Sequence, residues 1–159
     1  MLLALFIPFY AFKIEPNLAV VNQLKLGDQS QPAELKVVQL SDIQVSESYE
    51  TKRLDKVIRK VNQQKPDIIV FTGDLFDNYS QYQHEQEIIE RLGQMKASIG
   101  KYAVWGNHDY GGGAARVYER VMNAANFTVL KNSGETISLK DGKKLFIGGL
   151  DDSLLGNPS

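Results

Sequence analysis

The sequence predicts an α/β domain: a largely parallel sheet with flanking helices. Three observations carry that reading. Apolar, β-branched runs alternate with stretches whose apolar residues recur at helical spacing. The clearest run, Ile68-Ile69-Val70-Phe71, lies between Pro66 and Gly73 and has the composition of a buried strand. Three such runs are followed directly by carboxylate or amide side chains, at the sheet edge where open α/β sheets bind ligands.

The elements follow in order. Met1 to Phe12 is almost wholly apolar, yet shorter than the about 20 residues a spanning helix needs. It has no basic leader or small-residue cleavage site, and Pro8 disturbs a helix. Three readings fit residues 1–13: a truncated membrane anchor, a buried strand, or an apolar tail. The first is favoured because nothing polar breaks the run before Lys13. Residues 14–159 then form one domain. Leu18 to Leu26 alternates partly and reads as a strand, and Gly27 to Pro32 as a loop. Leu35 to Leu40 is a second strand, ended by Ser41-Asp42. Leu54, Val57, Ile58 and Val61 form one stripe of a helix over Glu50 to Gln63. The basic residues on its other face, Lys52, Arg53, Lys56, Arg59 and Lys60, read first as a solvated surface, and otherwise as an attraction for anionic lipid or substrate.

After Ile68–Gly73 come a polar loop over Asn78 to Gln83 and a helix over His84 to Ser98. Lys101 to Trp105 is a short strand, closed by Gly106-Asn107-His108-Asp109. A helix over about Ala114 to Ala125 and a short strand over Phe127 to Leu130 follow. Thr136–Leu139 and Lys144–Leu150 read as a hairpin around Asp141-Gly142, a two-residue connection.

Composition is that of an ordinary globular chain, 43% hydrophobic and 23% charged. A net charge of -1 gives no basic surface for nucleic acid. There are no cysteines, which excludes disulfides and thiolate metal sites. The two histidines are His84, read as a surface residue at a helix start, and His108.

Three strand ends carry the chemistry: Asp42 with Gln44, Gly73-Asp74-x-x-Asp77, and Gly106-Asn107-His108-Asp109. Each alone could be a capped turn. Parallel neighbours bring all three together, and oxygens gathered this way are costly without a cation. Oxygen and nitrogen donors without sulfur suit Mn²⁺, Fe or Zn²⁺.

In this order the motifs D-x-Q, G-D-x-x-D and G-N-H-D resemble the calcineurin-like metallophosphoesterase superfamily. The runs Val38 to Asp42 and Trp105 to Tyr110 resemble its membrane-associated or exported bacterial branch. The resemblance covers about residues 14 to 155. It implies the N-terminal part of a four-layer αββα sandwich. It also implies two divalent ions, a bridging hydroxide, and hydrolysis of a phosphomono- or diester. Asp42 would bind the first metal, with Gln44 where the family usually has histidine. Asp74 would bridge both metals, and Asn107 would bind the second. Asp77 would be an acid beside the site. His108 and Asp109 would be the catalytic pair, His108 toward the phosphate or leaving oxygen and Asp109 holding its ring.

The family also takes histidine ligands from its second half, and none follows Asp109 here, so the domain is expected to be C-terminally incomplete. The rival reading is a fragment or degenerate relative that folds but does not catalyse. A nuclease is disfavoured by the neutral charge. The expected partner is a small-molecule or lipid-linked phosphate ester. Membrane association through the N-terminus is expected on the extracytoplasmic side. Gly111–Gly113 reads either as a set of backbone donors for the substrate anion or as a connector.

Overall fold

The computed structural model describes residues 7–10, 18–27, 35–47, 49, 51–82, 84–139 and 141–159. Most of the apolar run at residues 1–12, the loop after Gly27 and the expected helix start at Glu50 lie outside them. Among the described residues no helix is long and apolar enough to cross a membrane.

Four short strands build a parallel sheet in the order β1-β2-β3-β4. They are β1 (Val37–Leu40), β2 (Ile68–Phe71), β3 (Gly100–Ala103) and β4 (Thr128–Val129). Alternate residues of each strand point to opposite faces. Ile69, Phe71 and Ala103 enter the larger core, under α1 (Lys52–Gln63), α2 (Glu85–Gly93) and α4 (Tyr118–Ala124). The predicted stripe of α1 supplies Leu54, Ile58 and Val61, all buried. Ile68 and Tyr102 enter a second core, covered by the antiparallel pair β5 (Ser133–Ser138) and β6 (Lys144–Gly149) through Ile137, Leu145 and Ile147. The sheet therefore lies between a helical layer and a hairpin, as an α/β sandwich requires.

Several boundaries differ from the sequence reading. No strand forms over Leu18–Leu26; the segment is exposed, with Leu24 82% accessible. Its alternation is only partial, and a strand needs a partner edge to satisfy its backbone. α2 stops at Gly93 because Asn62 takes over the exit: its Nδ2 donates to Gln94 O (2.9 Å) and its Oδ1 accepts from Lys96 N (2.8 Å). Turns occupy 112–117, so α4 starts later than expected. The hairpin closes with Leu139 N donating to Lys143 O (2.8 Å), one residue longer than a two-residue connection.

Candidate metal centre

The register sets the site. Leu40 pairs with Phe71, and Phe71 with Ala103, so β1, β2 and β3 end at one level. The loops after β1 and β2 go on pairing. Asp42 N donates to Gly73 O (3.1 Å), Gln44 N to Asp74 O (3.1 Å), and Val45 N to Leu75 O (2.7 Å). Asp77 N returns to Val45 O (3.0 Å). This ribbon carries Asp42 and Gln44 alongside Asp74.

Asp42, Gln44 and Asp74 all adopt left-handed backbone conformations, with φ of 56°, 54° and 62°. Such conformations are costly for residues with a Cβ and cluster where a side chain must be aimed. Asp42 Oδ2 also accepts a short hydrogen bond from Ser41 Oγ. The third segment arrives by close approach. A Cβ on Gly106 would lie 2.2 Å from Asp74 Oδ1, and one on Gly73 would lie 2.5 Å from Gly106 N. Only glycine at both positions lets the β3 loop touch the β2 loop.

The Gly106 turn leads into α3 (Asn107–Gly111), a short helix the sequence reading missed. Asp109 holds it in place. Its carboxylate is fully buried and accepts four backbone N–H groups. Oδ2 accepts from Asp74 N (2.9 Å) and Gly106 N (3.1 Å), and Oδ1 from Leu75 N (3.0 Å) and Phe76 N (3.1 Å). Burial pushes this carboxyl up to about 6, with backbone N–H donors pulling the other way. The Gly106 contact is the carboxylate half of a capping box. Asp109 thus turns to the backbone, away from the expected contact with the His108 ring. Asp77 takes that place, with Oδ1 3.2 Å from His108 Nδ1.

In turn, His108 N donates to Asp74 Oδ1 (2.9 Å), which fixes the Asp74 side chain. Asn107, His108 and Asp74 are half-buried, while Asp42 and Asp77 are exposed, so the edge is open to solvent. Trp105 stacks on Tyr110 at 4.6 Å and packs on Tyr118 at 4.6 Å. The glycine run has a packing role. A Cβ on Gly112 would lie 2.4 Å from Asp77 O, and Gly112 N is already given to His108 O (2.6 Å). His84 is exposed at the start of α2, as expected.

Asp42, Gln44, Asp74 and Asn107 therefore come from segments stitched together at one sheet edge. Two carboxylates and two amides form a hard, oxygen-rich donor set, which suits a divalent cation and not a soft metal. Among the described residues, no three His, Asp or Glu side chains gather into a metal cage. An ion held here would draw on the amides of Gln44 and Asn107 as well as the carboxylates of Asp42 and Asp74, and by donor chemistry these residues fit a divalent cation.

Comparison with known proteins identifies relatives by sequence. A family model for calcineurin-like phosphoesterases matches residues 35–155. The metallophosphoesterase YkuE of Bacillus subtilis is 41% identical over 152 residues, 94% of this chain and 53% of its own length. The UDP-2,3-diacylglucosamine pyrophosphatase LpxG of Chlamydia trachomatis is 36% identical over 104 residues, 64% of this chain and 31% of its own. A Danio rerio transmembrane protein with a metallophosphoesterase domain is 31% identical over 74% of this chain and 27% of its own. The chain spans about half, or less, of the length of these relatives. Among solved structures, the nuclease MPE of Pseudomonas putida gives a TM-score of 0.41 at 10% identity, over 59% of this chain and 46% of that one. The motifs, the sheet edge that gathers them and the family match lead to one conclusion: this chain belongs to the calcineurin-like phosphoesterase family.

Proposed function

We propose that this chain contributes to a metal-dependent phosphoesterase that hydrolyses a phosphomono- or diester at a centre for two divalent ions, Mn²⁺, Fe or Zn²⁺. The observation that carries the reading is the convergence of Asp42, Gln44 and Asp74, all in left-handed conformations, with the Gly106-Asn107 turn pressed against Asp74. Asp42 and Gln44 would hold one ion, Asn107 the other, and Asp74 would serve both. Bound there, the ions would supply Lewis acidity toward phosphoryl oxygens and a water that ionises near neutral pH. Four oxygen donors are fewer than two such ions take, so water, substrate and further protein groups complete the shell.

The chain's own groups divide the remaining work. His108 is the proton donor to the leaving oxygen. The Asp77 carboxylate beside Nδ1 keeps a proton there and leaves Nε2 for the substrate. Asp109 is a positioning residue that holds the Asp74 and Gly106 backbones at one distance. A small soluble phosphate ester and a lipid-linked one are both within this reading. The apolar N-terminal residues and the chlamydial relative, named as a UDP-2,3-diacylglucosamine pyrophosphatase, support the lipid-linked class and association with a membrane.

The test measures Mn²⁺ binding by calorimetry and Mn²⁺-stimulated hydrolysis of bis(p-nitrophenyl) phosphate. Wild-type chain is expected to bind the ion, and a chain extended to the length of its relatives is expected to turn over as well. Asp74→Asn, which removes the charge shared by both ions, is expected to lower kcat/KM by roughly a hundredfold or more. Metal binding without turnover by the extended chain would favour the rival reading of a non-catalytic relative, and absence of metal binding by that chain would overturn the centre itself.

A further inference from the structure

Among the described residues three charged side chains are buried: Lys101, Asp109 and Asp151. Asp109 belongs to the candidate centre, and Lys101 donates to the end of α4. Asp151 stands two residues past the end of β6. Its side chain is 2% accessible, so its charge is costly unless partnered. Oδ2 accepts from Asn157 N (2.9 Å) and lies 3.6 Å from Lys131 Nζ. Oδ1 accepts from Asp152 N (3.0 Å) and from Tyr110 OH (2.6 Å). The two amide bonds close Asp151's own loop. The hydroxyl belongs to α3, 41 residues earlier in the chain.

With five residues, α3 is too short to hold its shape or direction alone, so ties from outside set both. The Asp109 carboxylate is one tie. Successive helix side chains point about 100° apart, so Tyr110 ties α3 along a second direction. A hydrogen bond to a carboxylate is about twice as strong as one between neutral groups. Lys131 braces the same spot, its Nζ 5.1 Å from the Tyr110 ring and 5.3 Å from the Trp105 ring stacked on it. The helix so held begins with Asn107 and His108, and His108 N meets Asp74 Oδ1.

We infer that Asp151 is a positioning residue for the candidate centre: through the Tyr110 hydroxyl it sets the angle of α3, and with it the placement of Asn107 and His108. The end of β6 joins those of β1, β2 and β3 in building the site, as a support and not as a ligand. Its consequence for catalysis rests on the metal-centre reading, whereas its consequence for α3 does not.

Amide hydrogen exchange on the full chain, without metal, tests the hold on α3. Tyr110→Phe keeps the ring and removes the hydroxyl, and Asp151→Ala removes the acceptor. Each is expected to speed exchange at the His108 amide by roughly tenfold or more, relative to the amides of α1. The double variant is expected to go no further than the faster single, because the two residues act through one bond. Tyr102→Phe removes a similar bond elsewhere, from Tyr102 OH of β3 to Glu135 Oε1 of β5 (2.8 Å), and is expected to leave the His108 amide unchanged on the same scale. In a chain extended to the length of its relatives, Tyr110→Phe is expected to lower kcat for bis(p-nitrophenyl) phosphate by roughly tenfold with KM nearly unchanged, and Tyr102→Phe to alter neither. Unchanged His108 exchange in Tyr110→Phe, additive effects in the double variant, or an equal response to Tyr102→Phe would each overturn the inference. Wild-type kcat in an active extended chain carrying Tyr110→Phe would overturn it too. Should Asp151→Ala fail to fold, Tyr110→Phe decides alone. An inactive wild-type extended chain would count against the metal-centre reading, and the exchange result would still decide this one.

Discussion

At Asp109 a single carboxylate accepts four backbone N–H groups from two loops. All its acceptor capacity is used, and none of it by the neighbouring histidine. Asp109→Asn keeps the shape but turns an NH₂ toward donors. It is expected to destabilise the fold by about 2–4 kcal/mol in urea denaturation. The meeting of the three strand ends was legible, because Gly-Asp and Gly-Asn-His-Asp after apolar runs are visible in one dimension and parallel pairing brings them to one edge. The direction of the Asp109 carboxylate was not. The sequence shows His108 beside it, whereas the Asp74 amide it caps lies 35 residues away. The left-handed backbone of Asp42, Gln44 and Asp74 was equally hidden, since it is imposed by pairing between loops.

For whole elements, periodicity succeeded where tertiary packing agrees with it. The stripe Leu54, Ile58, Val61 of α1 is buried as read, and Leu54 is wholly inaccessible. Leu54→Ala is expected to cost about 2–5 kcal/mol through loss of apolar burial and the cavity left behind, measured as a shift in the urea midpoint. Periodicity failed at ends set by distant partners, such as the exit of α2 over Asn62. It also missed α3, whose five residues are too few for a stripe and which starts on a cap made by its own Asp109. The Leu18–Leu26 misreading has the opposite cause: a local pattern with no edge to join.

Across the whole molecule, the alternation of strand and helix was enough to give the parallel sheet, because parallel strands need crossovers. How the helical layer is tied down was not legible. Buried Lys101 reaches from β3 to the ends of two helices, its Nζ donating to Ala125 O (2.7 Å) and Leu92 O (3.3 Å) beneath the Phe127 ring. Burial lowers this ammonium to about 8 from its usual 10.5. Between those values the unfolded chain holds more protons than the folded one, so this residue's contribution to stability rises with pH from about 8 to about 10.5. Relative to Lys101→Met, wild-type chain is expected to gain stability across that window, by up to about 3 kcal/mol. Urea titrations at the two ends of the window measure the gain.

The interlocked strand ends also have a temporal consequence. Asp74 finds its geometry only after Gly106 and Asp109 have docked on it from far along the chain. A nascent polypeptide emerging from the ribosome therefore assembles this cluster late, in one step, once the second crossover has closed, and on the proposed reading it has no grip on cations before then.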